Sequence, residues 1–296
     1  MKILLTGALG QVGQEVSELA AHRPCTLFSF SKADLDITNL EQVERAIKNT
    51  CPDLIINAAA YTAVDKAEQE AERAFAINRD GVKNLAVLGK CYNLPLIHIS
   101  TDYVFDGSKL RAYEEIDPLS PLNVYGKSKA EGEEILQQEW EKHVIVRTSW
   151  VFGKHGSNFV KTILRLALKQ KELRIVADQS GCPTAAADLA AALFELALQI
   201  KKGQPHWGLF HYCGEGPTTW FDFAGRIVYH GKAHFPIQLE KLHPIESADF
   251  PTLAQRPKNS VLNKEKIEKN YSLKPSFWEQ GLVKVIEYLG KNGGTL

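Results

Sequence analysis

A tyrosine and a lysine in the segment NVYGKSK (123–129) have the spacing of a proton-transfer pair. Tyr125 precedes Lys129 by four residues, which places two side chains on one face of a helix. A phenol beside an ammonium can act as a general acid, because the positive charge favours the phenolate and lowers the pKa of the phenol. The same spacing also occurs on ordinary solvated helix faces, so the pair needs support from the rest of the chain.

A glycine-rich turn follows the first predicted strand. The segment TGALGQVG places Gly7, Gly10 and Gly13 between KILLTG (2–7) and a helix that is predicted to begin near Gln11. Glycine permits a tight turn and a close backbone approach, and the N-terminus of the helix attracts a pyrophosphate. In this position the glycines predict a dinucleotide site, although glycines also serve turns and helix–sheet packing.

The end of the second predicted strand bears on the choice of cofactor. Many NAD-binding proteins carry an acid there that binds the ribose 2′-hydroxyl, whereas this chain has Ser31 and Lys32. Neither side chain would repel a 2′-phosphate, so we expect NADPH to be used at least as well as NADH. Asp36 and Ile37 follow and are placed to border the adenine, unless this stretch is an ordinary polar loop that leads into the next helix.

Small and polar side chains follow the third and fourth predicted strands. After the third strand come Ala58, Ala59 and Ala60, and after the fourth come Ser100, Thr101, Asp102 and Tyr103. The alanines would let a flat ligand lie against the backbone, or they serve tight packing of strand to helix. In open parallel sheets ligands bind at the carboxyl ends of the strands. Four polar residues in succession therefore predict part of a binding site there.

Composition excludes several classes of function. The 296 residues contain 35 Lys plus Arg and 35 Asp plus Glu, a balance that does not favour a nucleic-acid or membrane-surface partner. Five scattered cysteines without a C-x-x-C pair are typical of reduced thiols in a cytoplasmic protein. The apolar start is too short for a signal peptide, and the apolar stretch 185–200 contains Asp188 and Glu195, which fits a buried helix.

Strand and helix patterns alternate through the first half of the chain. Predicted strands are 2–7, 26–30, 53–59, 94–100 and 143–149, with helices at 11–21, 39–49, 64–91 and 122–139. This alternation predicts an α/β fold with a doubly wound, Rossmann-like parallel sheet. In the second half we expect helices at 157–171, 185–200 and 218–231, strands at 172–179 and 208–214, and a proline-rich remainder.

The two halves suggest two domains. We expect a dinucleotide-binding domain over 1–150, to which 172–200 returns. The segments 151–171 and 201–296 would form a smaller, mixed C-terminal domain for the substrate. No stretch rich in glycine and serine separates the halves, so we expect them to pack side by side.

Taken together, the motifs resemble the extended type of the short-chain dehydrogenase/reductase superfamily. Within it, the chain is similar to the family of dTDP-4-dehydrorhamnose reductases over nearly its whole length. The resemblance rests on GALGQVG, DLDIT, NAAAYTAVDKAE, STDYVFDG, SPLNVYGKSKAEGE, VRTSWVFG, NFV, DQSGCPT and RPKNS. It implies reduction of the C4 ketone of dTDP-4-dehydro-L-rhamnose by hydride from NADPH or NADH, in the synthesis of nucleotide sugars for cell-surface polysaccharides.

The resemblance also implies residue roles. Tyr125 would be the proton donor, Lys129 would tune it and hold the nicotinamide ribose, and Thr101 would donate to the carbonyl oxygen. The expected cofactor contacts are Gly7, Gly10, Gln11, Val12 and Gly13 at the pyrophosphate, Ser31, Lys32, Asp36 and Ile37 at the adenosine, and Ala58, Ala59, Ala60, Tyr61 and Thr62 at the middle. The expected substrate contacts are Thr101, Asp102, Tyr103, Trp150, Asn158 and Arg256.

Two other functions remain open at this point. A sugar-nucleotide epimerase or dehydratase would share the fold, but dehydratases usually show Asp-Glu after the site threonine, where this chain has Asp102-Tyr103. A non-catalytic regulatory subunit, like that of methionine adenosyltransferase, would also resemble these reductases. Some relatives hold magnesium between subunits through a glutamate that matches Glu15. The second acid falls on Ala187 here, beside Asp188, so a metal is not favoured, while a homodimer remains compatible with the sequence.

Overall fold

A six-stranded parallel sheet forms the centre of the molecule. The computed structural model describes residues 1–292. Its strands are β1 (Lys2–Thr6), β2 (Thr26–Phe30), β3 (Leu54–Asn57), β4 (Leu96–Thr101), β5 (His143–Thr148), β6 (Val151–Phe152), β7 (Glu172–Val176), β8 (Ser180–Gly181), β9 (Thr184–Ala185), β10 (Gly208–His211), β11 (Thr218–Thr219) and β12 (Lys241–Ile245). The central sheet has the order β10-β5-β4-β3-β1-β2.

Helices connect and cover these strands. They are α1 (Gln11–Ala20), α2 (Leu40–Thr50), α3 (Val64–Ala67), α4 (Ala71–Phe75), α5 (Gly81–Cys91), α6 (Val124–Glu139), α7 (Phe159–Ala167), α8 (Ala186–Lys201), α9 (Trp220–Gly231), α10 (Glu265–Tyr271) and α11 (Trp278–Lys291). A π-helical turn, Ala76–Asp80, joins α4 to α5. In the described part of the chain, no helix combines the length and the apolar character needed to cross a bilayer.

Buried apolar strands explain the layered architecture. Strands β1, β3, β4 and β5 are almost wholly buried, because helices cover both faces of the sheet. One face packs against α1 and α8 through Val16 and Leu193. The opposite face packs against α2, α5 and α6 through residues such as Val43, Leu85 and Leu136. The expected doubly wound α/β fold is confirmed.

The strand order reverses beside β1. This strand pairs in parallel with β2 on one side and with β3 on the other. The chain therefore turns in opposite directions after β1 and after β3, which leaves a crevice at the carboxyl ends of these two strands. Gly7 follows β1 and Ala58 follows β3, so the glycine-rich turn and the alanine run meet at this crevice.

The second half of the chain contributes to more than one sheet. Strand β10 pairs in parallel with β5 and forms one edge of the central sheet. Strand β7 pairs instead with β12 in a separate two-stranded sheet, over a core that α7, α9 and α11 share. Both placements differ from what we expected. Residues 208–211 were expected in the substrate domain but join the central sheet, and residues 172–176 were expected with the nucleotide-binding domain but lie outside that sheet. The division into two domains stays a prediction.

Candidate active site

A cleft opens at the crevice between β1 and β3. Its volume is about 200 Å³, and it is lined by Gly7, Leu9, Gly10, Lys32, Leu35, Asp36, Ile37, Ala58, Ala59, Ala60 and Ile77. Gly7 has a φ of 71°, and a Cβ there would lie 2.5 Å from the backbone of Ala58. A Cβ at Gly13 would lie 2.2 Å from the Gly7 carbonyl oxygen. These glycines let neighbouring backbone segments approach closely, and the N-terminus of α1 lies beside them. This arrangement fits a dinucleotide.

Many of the residues expected to contact the cofactor line this cleft. Eight of its lining residues were predicted from the sequence, whereas Leu9, Leu35 and Ile77 were not. Leu9 is 73% exposed, although it is a large apolar residue. Its place between two glycines of the turn is the signal that could have identified it.

Gln11, Val12, Tyr61 and Thr62, like Gly13 and Ser31, are not among the residues that line this cleft. Gln11 and Val12 form the first turn of α1, and the Gln11 side chain accepts from Asn158 across 2.8 Å. The Tyr61 hydroxyl donates to Glu70 over 3.2 Å, and Thr62 is exposed. Their cofactor contacts stay predictions.

An aspartate, Asp34, lies in the turn four residues after the end of β2 and contacts Ser31. Asp34 Oδ2 accepts from the Ser31 backbone N–H at 3.0 Å and from the Ser31 hydroxyl at 2.6 Å. The Ser31 hydroxyl is the main cause that lowers the pKa of the Asp34 carboxyl. Serine and aspartate commonly bond to nearby backbone and side-chain groups in turns, which is the type of contact seen here.

Thr101 and Asp102 occupy the carboxyl end of β4. The Thr101 hydroxyl accepts from the Tyr103 backbone N–H at 3.2 Å and donates to Asp102 Oδ1 at 3.0 Å. Asp102 is 2% exposed, and its Oδ2 has no hydrogen-bond partner among the described residues. Burial raises the pKa of Asp102 to about 7, while the Ser260 and Thr101 hydroxyls oppose the rise. A buried carboxyl that titrates near neutrality is typical of functional sites.

Helix α6 brings Tyr125 to the same edge of the sheet. The Asn123 side chain caps this helix by accepting from the Gly126 N–H at 2.8 Å. Gly126 also lets the helix approach closely, since a Cβ there would lie 2.1 Å from the Tyr103 carbonyl oxygen. The rings of Tyr103 and Tyr125 meet edge to face at 5.9 Å.

The structure places the Lys129 head group away from the Tyr125 phenol, so the expected effect of Lys129 on Tyr125 stays a prediction. Burial raises the pKa of Tyr125 to about 12; the Thr101 hydroxyl lowers it and the Asp102 charge raises it further. Lys129 is 1% exposed. Its Nζ donates to the Ile99 carbonyl at 2.6 Å and lies 3.2 Å from His98 Nε2. Tyr125 and Lys129 do lie one turn apart on α6, as their spacing predicts. The Lys129 head group, however, is directed towards β4.

The remaining expected substrate residues make specific internal contacts. Trp150 has a φ of 47°, and its indole stacks on that of Trp220 with centroids 3.4 Å apart. Asn158 caps α7 by accepting from the Lys161 N–H at 3.2 Å. Arg256 pairs with Asp65 at 2.7 Å. One face of the Trp150 indole is therefore covered by Trp220, a partner that sequence reasoning did not identify.

The side chain of Lys154 places a positive charge beside Glu15. Glu15 lies close to Glu18 and His155, and side chains of these types can act as metal ligands. Lys154 Nζ lies 3.6 Å from Glu15 Oε2 and also bonds to Glu18. Magnesium prefers oxygen ligands, whereas this group includes an imidazole and an ammonium. The residues present do not fit a magnesium ion well.

Comparison with known proteins gives a consistent result. The family model described as "RmlD substrate binding domain" matches residues 1–290. A dTDP-4-dehydrorhamnose reductase of Aggregatibacter actinomycetemcomitans is 42% identical over 290 residues, which are 97% of this chain and 99% of the relative. The structure of a Clostridium acetobutylicum dTDP-4-dehydrorhamnose reductase superposes with a TM-score of 0.91 at 37% identity, covering 98% of this chain and 99% of that one. That of the Bacillus anthracis dTDP-4-dehydrorhamnose reductase in complex with NADP gives 0.90 at 36%, covering 97% and 99%.

Proposed function

Because the chain belongs to the dTDP-4-dehydrorhamnose reductase family, we propose that Thr101, Tyr125 and Lys129 serve the reduction of a dTDP-4-dehydro sugar. The protein is an NAD(P)H-dependent oxidoreductase of dTDP-rhamnose biosynthesis. The observation that carries the assignment of residues is that Thr101 ends β4 while the Tyr125 ring packs edge to face on Tyr103, two residues after Thr101, at the carboxyl edge of the sheet. This edge continues from the cleft that fits the dinucleotide.

The cleft residues would hold the cofactor. The glycine turn and the N-terminus of α1 suit the pyrophosphate, and the backbone of Ala58 to Ala60 offers a flat wall without bulky side chains. When bound, the reduced nicotinamide supplies a hydride to the C4 carbonyl of the sugar.

Tyr125 would provide the proton that the developing alkoxide requires. The phenol carries its proton at neutral pH, as a proton donor must, although its raised pKa in the cofactor-free protein makes it a weaker acid than a phenol with a pKa of about 7. The O–H bond of Tyr125 breaks as the new O–H bond on the sugar forms, and the phenolate is then reprotonated from solvent. Half-burial of Tyr125 limits access of water to this step.

Thr101 would orient the carbonyl oxygen by donating a hydrogen bond to it. In the structure the Thr101 hydroxyl donates to Asp102 instead. Protonation of Asp102 lets the carboxyl donate to Thr101, which frees the threonine hydrogen for the substrate. Donors aimed at a developing oxyanion are a major source of catalysis.

Substrate binding, assembly and compartment follow from the same proposal. Trp150, Tyr103 and Arg256 would contact the dTDP-sugar, with Asn158 placing Gln11 near the diphosphates. The protein would work in the cytoplasm, where nucleotide sugars are made, and a homodimer is compatible with this function.

A turnover assay with two variants tests the assignment. Loss of reduced cofactor is followed with dTDP-4-dehydrorhamnose supplied by the upstream enzymes, for wild type, Tyr125→Phe and the control Tyr229→Phe, whose side chain is exposed. Turnover of Tyr125→Phe should fall by roughly 10²–10⁴ with unchanged cofactor Kd, since only a positioned acid is removed. Wild-type turnover in Tyr125→Phe would refute the role of Tyr125. If the wild-type protein itself showed no turnover, a regulatory subunit would be favoured.

A further inference from the structure

A buried chain of hydrogen bonds runs beneath the active-site edge from β1 to α6. The Thr6 hydroxyl donates to Asn57 Oδ1 at 2.7 Å, and Asn57 Nδ2 lies 2.9 Å from His98 Nδ1. His98 Nε2 then lies 3.2 Å from Lys129 Nζ. His98 is completely buried, so no water is available to satisfy an unmatched donor or acceptor.

The orientation of the Asn57 amide is fixed by a backbone donor. The Ala59 N–H lies 3.1 Å from Asn57 Oδ1 and can only donate. Rotating the amide by half a turn would direct its NH₂ group at this N–H, leaving two donors face to face. Asn57 must therefore present its oxygen to Ala59 and its Nδ2 hydrogen to His98.

The orientation of Asn57 decides the tautomer of His98. Because Asn57 Nδ2 donates to His98 Nδ1, that ring nitrogen is an acceptor and carries no proton. Burial lowers the pKa of His98 well below its usual value, so the ring is neutral. A neutral imidazole carries one proton, which here must lie on Nε2.

The proton on His98 Nε2 needs an acceptor, and Lys129 Nζ is the neighbouring atom. An ammonium has three donors and no lone pair, so it would face the Nε2 proton with a second hydrogen. A neutral amine accepts this proton and still donates to the Ile99 carbonyl, which lies 2.6 Å away. Only the amine form satisfies every polar atom of the chain from Thr6 to Ile99.

We propose that, in the cofactor-free protein, His98 holds Lys129 as a neutral amine, with Asn57 acting as the residue that fixes the His98 tautomer. His98 and Asn57 are thus positioning residues, which act through Lys129. The meaning of this state for catalysis rests on the proposed function, but the protonation state itself does not.

The surroundings of Lys129 make the amine form more accessible than it is for a surface lysine. Glu133 lies on the same helix, one turn further, and raises the pKa of Lys129. That carboxylate is already paired with Arg147 of β5 at 2.6 Å. Burial is the larger cause and lowers the pKa of Lys129 to about 8, so on these causes alone the amine is the minor form at pH 7 and the hydrogen bond from His98 Nε2 has to supply the rest. On the other side, His98 is neutral and Tyr125 keeps its proton, so neither adds a negative charge.

The arrangement couples the charge of Lys129 to the wall of the cofactor cleft. Protonating Lys129 would turn the His98 Nε2 position into an acceptor and move the ring proton to Nδ1, where it would face the Asn57 amide. To avoid this contact between two donors, the Asn57 amide would have to rotate by half a turn. The Ala59 N–H would then lose its acceptor, Asn57 Oδ1. Ala59 lines the cleft, so a change of charge on Lys129 is transmitted to the cofactor site.

Nitrogen NMR of the cofactor-free protein tests the proposal directly. Histidine labelled with ¹⁵N reports which ring nitrogen carries the proton, and the His98 signal is identified by its cross-peaks to Lys129 and its loss in His98→Gln. We expect a single proton on Nε2. Labelling lysine at Cε should show Lys129 as a neutral amine at pH 7, where the surface lysines are ammonium. A proton on Nδ1, a doubly protonated ring or a Lys129 ammonium at pH 7 would overturn the proposal.

Two near-isosteric variants separate this role from packing. In Asn57→Asp the carboxylate only accepts, so we expect a proton to appear on His98 Nδ1. In His98→Gln the amide can present an oxygen to Asn57 and an N–H to Lys129, so the low titration pH of Lys129 should be retained. An unchanged ring in Asn57→Asp, or an ordinary Lys129 titration in His98→Gln, would count against the proposal. These measurements need no turnover, so they stand or fall independently of the reductase assay.

Discussion

The Thr101 hydroxyl donates to Asp102 Oδ1 across 3.0 Å, so the direction of one hydroxyl hydrogen depends on the charge of one carboxyl. When Asp102 is ionised, it can only accept, and it holds the Thr101 hydrogen away from any substrate. When Asp102 is protonated, it can donate to Thr101 and release that hydrogen. Because burial raises the pKa of Asp102 to about 7, both states are populated near neutral pH.

The first prediction is a pH dependence of kcat/KM that Asp102 sets. In wild type, kcat/KM should fall as the pH rises through about 7, since ionised Asp102 captures the Thr101 hydrogen. In Asp102→Asn the amide can donate to Thr101 at any pH, so this fall should disappear. The measurement is kcat/KM between pH 5 and pH 9.

The matched control for this profile is Asp106→Asn, which removes a nearby aspartate that bonds to Ser108 and Tyr113. Its profile should keep the fall of the wild type. A fall that persists unchanged in Asp102→Asn would assign the titration to another group.

The second prediction concerns stability and has a definite sign. Asp102 holds a proton up to about pH 7 in the folded state, whereas an unfolded aspartate loses it near pH ~3.9. Between these values the folded state binds more protons, so the contribution of Asp102 to the free energy of unfolding falls as the pH rises. The shift corresponds to at most about 4 kcal/mol. Urea unfolding of Asp102→Asn should therefore show a smaller loss of stability between pH 4 and pH 7 than the wild type does. Equal losses would refute the folded-state titration.

The third prediction concerns the choice between NADPH and NADH. Asp34 accepts two hydrogen bonds from Ser31, so its carboxylate occupies donors that a 2′-phosphate would use. Asp34→Asn removes the negative charge, and the Kd for NADPH should fall relative to that for NADH. Lys32→Ala should act in the opposite direction, because it removes a cation beside the cleft. Cofactor fluorescence measures both constants, and unchanged ratios in both variants would exclude this end of β2 as the determinant.

The fourth prediction is that divalent metal has little effect. Lys154 already supplies a positive charge to Glu15 and Glu18, so EDTA should leave turnover within a few-fold of its starting value. Magnesium should likewise leave the melting temperature unchanged. Activity that EDTA abolishes and magnesium restores would contradict the geometry of this cluster.

The central sheet could be predicted because its strands carry their own signal. β1, β3, β4 and β5 are short apolar runs between turn residues, and each was placed within a few residues. The two-residue strands were missed, because they exist only through pairing with distant segments. Helices α10 and α11 were missed in the proline-rich remainder, although α11 has an apolar face that the sequence carries.

The site could be predicted in its residue types but not in its contacts. Tyr125, Thr101 and the glycine turn were identified from spacing and position. The direction of the Lys129 head group was not, because it depends on how α6 packs across β4 and on a histidine that looked like part of a buried strand. Lys154 beside Glu15 is likewise a contact between residues far apart in sequence.

The pairing of β10 with β5 has a consequence for synthesis of the protein. A nascent chain that has reached residue 150 contains the glycine turn, Thr101, Tyr125 and Lys129, yet one flank of its sheet is still bare. That flank closes only after Gly208–His211 has left the ribosome, some sixty residues later, and a bare strand edge invites pairing with other chains. Fragments that stop near residue 150 should therefore depend on chaperones, and an early stop codon would release a chain that exposes this edge.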